Sequence, residues 1–267
     1  RSWLYKIRYK RYTLHERLKK NKKTMKTNIK QRKVQIITEI HPQHLGSMSE
    51  AKRMVLQSKI GGADFVKVQL YDSKKLFNNS DRAYLQFSKQ EFFEIVSYSR
   101  NLGIEVFASI FDEEKINWCE EMNINHYKIA SRTVKEDKNL CKKIIETGKT
   151  VFISLGMHDY KKKGLPFSNK NVIYFYCVSK YPTNLSDIEM PNFKKNKIIQ
   201  GFSDHTIGIG ACIYAVSRGA KFIEKHFSNN KSLATNTQMA HVCSMDQDDL
   251  IKLREYSDTI TLIQSNE

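Results

Sequence analysis

The chain has 267 residues, of which 40% are hydrophobic and 27% charged, and it carries a formal net charge of +17. That length and balance suit one large soluble domain with a substantial core, and no apolar stretch approaches membrane-spanning length, which sets aside an integral membrane protein. The excess charge is not a property of the body: residues 1–33 hold 14 Lys/Arg against the single acid Glu16, whereas the remainder has 31 against 27. No nucleic-acid-binding motif accompanies the basic run, so nucleic acid is not an expected partner.

Residues 1–33 therefore read as a basic, flexible extension and residues 34–267 as the folded domain. Alternation of Trp3, Tyr5, Ile7 and Tyr9 with their neighbours allows a marginal strand in the extension. Met25, just ahead of the first strong strand, is the expected natural start. The five cysteines (119, 141, 177, 212, 243) are odd in number and lack CxxC spacing. Reduced thiols in a cytoplasmic protein fit that pattern.

The first strand is Val34 to Glu39, followed by a loop, IHPQHLG, holding His41, His44 and Gly46. Ser47 with Glu50 has the spacing of a capping box for a helix from Met48 to Lys59, which Gly61-Gly62 stops. The second strand runs from Asp64 to Gln69 with Lys67 between two valines, a costly place for an ammonium unless it meets an anion. A long excursion, Leu70 to Phe87, leads to a second capping box, Ser88 and Glu91, and a helix to about Leu102. Strand three is Glu105 to Ser109; Asp112 is placed to cap a helix whose apolar face is Ile116, Cys119 and Met122. Strand four, His126 to Ile129, has Lys128 and Ser131 at its end, and a helix from Lys135 to Glu146 stops at Gly148.

Strand five is Thr150 to Ser154. The basic stretch after it (Lys161, Lys162, Lys163, then Gly164 and Pro166) argues against a full helix. Strand six is Asn171 to Cys177. Strand seven, Ile198 to Phe202, ends in Ser203-Asp204-His205, and a helix follows from Ile207 to Arg218. The isolated GxG of Gly208 and Gly210 falls inside that helix. Strand eight, Lys221 to Ile223, ends in Glu224-Lys225-His226. A last helix starts near Asp246 and runs through Leu250 and Leu253.

Eight short strands alternating with helices imply an α/β fold, a closed (β/α)8 TIM barrel, whose active site lies at the carboxyl ends of the strands. An open doubly wound sheet would carry a glycine-rich phosphate turn after its first strand, and IHPQHLG is not one. Polar residues gather at the strand ends. His205 and His226, on consecutive units, can meet at one divalent metal together with nearby acids and a serine. Lys67 and Lys128, with the hydroxyls of Ser109, Ser131, Ser154, Ser179 and Ser203, make a phosphate cradle. Glu39 offers a carboxylate for polar contact or proton transfer. Spacing alone leaves three readings open: metal-assisted chemistry beside a phosphate, a Schiff-base aldolase using a strand-end lysine, and a non-catalytic binding protein.

The motifs TEI (38–40), QHLG (43–46), GGADFVKVQ (61–69), SIFDEE (109–114), YKIAS (127–131), ISLGM (153–157), SKYPT (179–183), GFSDHTIGIGA (201–211), GAKFIEKHF (219–227) and CSMD (243–246) resemble the N-acetylneuraminate (sialic acid) synthase family. The resemblance implies a TIM barrel that condenses phosphoenolpyruvate with an N-acetylated sugar aldehyde such as N-acetylmannosamine. Phosphoenolpyruvate C3 attacks the aldehyde, water adds at C2, and inorganic phosphate leaves. A divalent metal, Mn2+ first and Mg2+ or Co2+ as alternatives, is implied as Lewis acid and template. Carried over by motif, His205 and His226 are metal ligands. Lys67, Ser109, Lys128, Ser131, Ser154 and Ser203 surround phosphoenolpyruvate. Ser179 stands at another polar position, Tyr181 matches a family tyrosine, and Glu39 lies on the sugar side.

This chain departs from the family pattern in several places. The Asn-His-x-Gly of the family is Gln43-His44-Leu45-Gly46, and Thr133 stands where a glutamate is usual. In the loop from Leu233 to His241, Ala240 aligns with an aspartate implied to contact the sugar. The family's C-terminal antifreeze-like domain, which supplies an arginine to a partner subunit's site, lies beyond the matched motifs. A homodimer and a separate chain bringing that lid are the expected partners. An altered acceptor or impaired activity is the implied consequence of the departures on the sugar side.

Overall fold

Eight parallel strands, each bonded to the next and the eighth to the first, close a barrel in the order of the sequence. The structure is a computed structural model, and it describes residues 34–196, 198–233 and 239–266. The basic extension expected over 1–33, its marginal strand and part of the 233–241 loop lie outside these residues.

The strands are β1 (Gln35–Glu39), β2 (Phe65–Leu70), β3 (Glu105–Ile110), β4 (His126–Ile129), β5 (Thr150–Ser154), β6 (Val172–Cys177), β7 (Ile199–Asp204) and β8 (Phe222–His226). The main helices are α1 (Met48–Gly61), α2 (Ser73–Phe77), α3 (Lys89–Asn101), α4 (Glu114–Glu121), α5 (Ser131–Glu136), α6 (Lys138–Glu146), α7 (Tyr160–Lys163), α8 (Gly210–Ser217) and α9 (Gln247–Gln264). This is the (β/α)8 barrel expected from the alternation of elements.

Several local expectations change. At Ser47 only half a capping box forms: its hydroxyl accepts the Glu50 amide, but the Glu50 carboxylate turns to Arg53 and Asn229. The Ser88–Glu91 box is complete. Asp112 does not cap α4, which starts at Glu114 without a side-chain cap; its carboxylate lies 3.9 Å from Lys115 instead. The helix expected from Lys135 to Glu146 begins earlier and breaks at Asp137, whose side chain caps α6. The excursion after β2 contains α2 and a 3-10 turn at Ala83–Leu85. A single turn, α7, follows β5. Gly208 lies ahead of α8 rather than inside it, with φ of +74°, a backbone state that glycine adopts without the clash a Cβ brings.

Strands β7 and β8 reach further than their sequence ends indicated, to Asp204 and His226. The extra length comes from pairing: Ser203 faces Glu224 and Asp204 faces Lys225, while Glu39 faces His226 where β8 closes on β1. Polar residues prolong these strands because the barrel supplies partners for their backbone and side chains, which propensity does not report.

Within the barrel a two-residue period stacks an aromatic floor beneath a polar layer. Phe107, Phe152, Phe175 and Phe222 form a continuous ring cluster with centroid separations of 5.2 to 5.8 Å. Two residues further along their strands come Ser109, Ser154, Cys177 and Glu224. His126, stacked on Phe152 at 5.6 Å, is followed in the same way by Lys128, and Phe65 by Lys67. At Gly201 a Cβ would meet the Phe175 ring at 2.5 Å, so only glycine lets β7 pass this floor. Beneath the floor, Arg254 of α9 donates to the Val34 carbonyl at 3.0 Å and meets Asp64 at 3.3 Å, tying the last helix to the start of β1.

Candidate active site

A cavity of about 310 Å3 opens at the carboxyl ends of the strands, large enough for a small-molecule substrate. All the candidate residues from the sequence line it: Glu39, Lys67, Ser109, Lys128, Ser131, Ser154, Ser179, Tyr181, Ser203, His205 and His226.

Its deepest part is a chain of charges. The Glu39 carboxylate lies 2.9 Å from the Lys67 ammonium, Lys67 lies 3.0 Å from Glu224, and Glu224 lies 2.8 Å from Lys128. Ser203 donates its hydroxyl to Glu224 at 2.8 Å. The two lysines and Ser203, expected to cradle a phosphate, are all three engaged by Glu224, a residue to which the sequence assigned no role. The signal was present, because Glu224 sits between Phe222 and His226 on the inward face of β8 at the strand period. Ending that strand at Ile223 hid it.

Burial acts on every member of the chain, and the neighbours decide the outcome. Burial raises the Glu39 carboxyl and the adjacent Glu224 charge adds to it, with Lys67 opposing. For Lys67, burial is outweighed by its two carboxylates, which raise it. Lys128 has one carboxylate against burial and the Lys67 charge, and is lowered to about 8. Burial would raise Glu224, but its two lysines and the Ser203 bond hold it below its ordinary value. A buried carboxylate between two ammonium groups stays ionised because protonating it would leave Lys128 without a counter-ion and weaken the hold on Lys67.

The hydroxyls are differently placed. Ser131 accepts the Gly156 amide at 2.9 Å. Ser154 Oγ is buried without a hydrogen-bond partner among the described residues. Ser179 lies beside Gly156, where a Cβ would come within 2.4 Å of its oxygen. That glycine therefore makes room for the serine.

The two histidines are neighbours, with ring centroids 5.7 Å apart. Tyr181 packs on both, at 4.1 Å from His205 and 6.0 Å from His226. In His205, Nδ1 donates to the Val178 carbonyl at 2.9 Å; in His226, Nδ1 donates to Gln43 Oε1 at 3.0 Å. With Nδ1 engaged in each ring, Nε2 is left with its lone pair for a ligand, the arrangement that orients metal-binding imidazoles. Burial, then the neighbouring His205 charge, keeps His226 neutral, well below its ordinary range. Burial also lowers His205, but the Cys177 thiol and the Val178 carbonyl outweigh it and raise the ring. No group of three or more His, Cys, Asp or Glu converges among the described residues. The nearby acids expected to complete a metal set are committed to lysines instead. Two imidazoles fit an ion that draws its remaining ligands from substrate and water, the open coordination a Lewis acid needs.

Gln43, His41 and Asp204 also escaped the sequence reading. Asp204 accepts from Lys225 at 2.6 Å, from the Thr206 amide at 2.9 Å and from the Thr206 hydroxyl at 3.1 Å. That fully buried cluster fixes the backbone on either side of His205. Gly46 donates its amide to His44 Nδ1, so His44 Nε2 donates to His41 Nδ1 at 3.0 Å and His41 Nε2 donates to Tyr71 at 3.2 Å. The His41 amide in turn donates to Glu39 at 2.9 Å, so this run latches the loop after β1 to the charged layer.

No helix among the described residues is long and apolar enough to cross a membrane, and the five cysteines are free and buried.

Comparison with known proteins follows the same outline. An uncharacterized protein of Methanocaldococcus jannaschii is 32% identical over 213 residues, covering 74% of this chain and 63% of its own length. A pseudaminic acid synthase of Campylobacter jejuni is 29% identical over 235 residues, covering 76% of this chain and 67% of the synthase. The chain thus spans about two thirds of the length of these relatives. The crystal structure of an N-acetylneuraminic acid (sialic acid) synthetase from Leptospira borgpetersenii, in complex with citrate, superposes with a TM-score of 0.76 at 28% identity, covering 86% of this chain and 85% of that one. The description of the NeuB family matches residues 54–267. The chain belongs to the NeuB family.

Proposed function

We propose that this barrel condenses phosphoenolpyruvate with an N-acetylated amino-sugar aldehyde, giving a nonulosonic acid of the sialic, pseudaminic or related type and inorganic phosphate. The observation that carries this reading is the meeting, in one cavity, of two imidazoles with open Nε2 atoms and a lysine–carboxylate layer beside an unpartnered serine hydroxyl. The synthases among the relatives support the product class.

His205 and His226 would hold the divalent ion, Mn2+ or alternatively Mg2+ or Co2+, which when bound supplies Lewis acidity toward the carbonyl and a template for the two substrates. The chain's own residues do the rest. Lys67 and Lys128 turn from Glu224 toward the arriving phosphate, and Ser109, Ser131 and Ser154 donate hydroxyls to it, Ser154 without giving up another bond. Glu224 stays ionised and holds both lysines in place between turnovers. The reaction forms a bond between phosphoenolpyruvate C3 and the aldehyde carbon, adds water oxygen at C2 and breaks the C2–O bond to phosphate. The aldehyde oxygen gains one proton and the water loses one. A single carboxyl that gives and takes a proton closes that balance, and Glu39, raised by burial and fixed by the His41 amide, is the group assigned to it.

Met239, which lines the cavity, is 53% exposed, and Leu185 and Ile207, in the segments that follow β6 and β7, are 70% and 65% exposed. They support a covering element, from a partner subunit in a dimer or from a separate chain. The test is release of inorganic phosphate from phosphoenolpyruvate by Mn2+-loaded protein with a panel of N-acetylhexosamines, with the product identified by mass. Acceptor-dependent release is the expected result; none with any acceptor overturns the reading. A Schiff-base aldolase gains some support from Lys128, lowered to about 8 by burial. Borohydride trapping of a substrate on Lys128 in the presence of a chelator would favour it.

A further inference from the structure

A buried ion pair behind the histidines takes no part in the chemistry assigned above. The side chains of Asp204 and Lys225 are 0% exposed and lie 2.6 Å apart. Strand alternation puts both on the outer face of the barrel, opposite Ser203, Glu224 and His226. There Cys212 of α8 donates its thiol to the Asp204 carboxylate at 3.1 Å. A buried ion pair often stabilises a fold no more than well-packed apolar side chains of the same size would, so its presence calls for another reason.

The pair stands at the end of a ladder. The register of β7 on β8 runs from Gly201 opposite Phe222 to Asp204 opposite Lys225 and stops there. The next residue on each segment is a histidine, His205 or His226, so both stand one position beyond the last pair of this ladder. Each is held from its own side: the His205 carbonyl accepts the Thr183 amide at 2.8 Å, and the His226 carbonyl accepts the Met245 amide at 2.8 Å. Neither bond relates one histidine to the other, but Lys225 does. Its ammonium donates to the Asp204 carboxylate at 2.6 Å and to the Thr206 carbonyl at 2.8 Å. It thus grips the residues before and after His205 from the residue that precedes His226. Asp204 tightens the same turn by accepting the Thr206 amide at 2.9 Å and the Thr206 hydroxyl at 3.1 Å.

We propose that Lys225 and Asp204 are positioning residues that set the separation of the His205 and His226 rings, 5.7 Å between centroids, so that both Nε2 atoms reach one divalent ion. The proposal rests on the reading of His205 and His226 as metal ligands. Neither residue touches substrate: the Lys225 ammonium is taken up by the Asp204 carboxylate and the Thr206 carbonyl on the far side of β8. The same role explains why the pair is ionic. Apolar side chains would fill the space, but an ammonium donates to a carboxylate and a carbonyl at once, and so fixes a turn by two directed bonds.

The test reads the histidine pair rather than turnover. Mn2+ is titrated calorimetrically into the metal-free wild type, Lys225→Met and Asp204→Asn/Lys225→Met, and electron spin-echo modulation of each Mn2+ complex counts the coordinated imidazoles. The double variant removes the ammonium without leaving a buried carboxylate unpaired, which serves where the single variant does not fold. The expected result is two imidazoles in the wild type and fewer in the folded variants. Mn2+ affinity falls with them by about 10- to 100-fold, the usual cost of losing support behind a metal-bound histidine. Arg254→Met, which breaks the ionic tie of α9 to Asp64 beneath the aromatic floor, is the control. It should lower the melting temperature yet keep the affinity and both imidazoles. An equal loss of affinity in that control assigns the effect to general loosening and overturns the proposal. So do Lys225 variants with wild-type affinity and two imidazoles, and so does unfolding of both variants, which would give the pair to the fold alone. A wild type that binds Mn2+ through neither histidine, or not at all, overturns the metal reading and the proposal together. A wild type that shows two imidazoles and loses them in the variants, yet releases no phosphate with any acceptor, overturns the condensation reading alone and leaves the positioning role standing.

Discussion

Lys128 and Arg132 are close in the chain but belong to opposite halves of the pocket. Lys128 is 1% exposed, ends a strand and touches Glu224 at 2.8 Å across the barrel. Arg132 is 38% exposed in its side chain, starts a helix and is steadied by a loop carbonyl and a half-exposed glutamate. The inner half is strand-borne and buried, and its carboxylates and lysines are paired with one another. The outer half is loop-borne, wetter and only partly constrained. In a barrel the strands hold chemistry that tolerates no movement, while the loops can change with the substrate at little cost to the scaffold. The departures from the family pattern lie off the strands, Thr133 in α5 and Ala240 in the turn Met239–His241 after β8, whereas Lys67, Lys128, His205 and His226 keep their motif positions.

Breaking the inner half should have the largest effect. Glu224→Ala leaves Lys128 without its counter-ion and Lys67 with Glu39 alone, and loss of one partner from a buried ion pair costs about 3–5 kcal/mol. Denaturant unfolding should show that loss, and phosphate release should vanish with it; a change below about 1 kcal/mol would mean that the layer is more hydrated than its geometry indicates.

The latch between the halves should respond to acid. Burial lowers His44 to about 4 from an ordinary 6.5. Between those values the unfolded chain binds the proton and the folded chain does not, so stability falls as pH falls from about 6.5 toward 4. The full range is worth about 3 kcal/mol for that one imidazole. Melting temperature followed from pH 7 to pH 4.5 should decline, and His44→Asn should flatten the profile. An equal decline in the variant would assign it to other groups.

A milder change sharpens the comparison at the histidines. Gln43→Ala removes the acceptor that fixes His226 and should weaken Mn2+ binding by about 10- to 100-fold, measured calorimetrically, with little effect on the melting temperature of the metal-free protein. Unaltered affinity would show that the ring needs no second support. At the rim the expected effect on the fold is smallest: Leu185→Ser should change unfolding free energy by no more than about 0.5 kcal/mol. A large loss there would show that the rim supports the barrel after all.

The barrel was legible in the sequence because each β/α unit is announced by local signals: an apolar strand, a cap such as Ser88 with Glu91, a stop such as Gly62. The histidines and lysines were legible as strand-end residues for the same reason. Local signals failed where a second element decides the outcome. Asp112 has the composition of a cap, but α4 begins beyond it. Glu224 looked like the loop after a strand, because its strand lasts to His226 only through pairing with β1 and β7.

By itself the sequence determined which residues are available and on which element each sits, since both depend on neighbours within a few positions. The tertiary structure alone decided which groups meet. Lys128 finds Glu224 from 96 positions away and His226 finds Gln43 from 183. Arg82 and Arg132 share Phe77 only because the excursion after β2 packs on the start of α5. Such encounters follow from barrel closure, strand register and loop path, which no local window of sequence encodes.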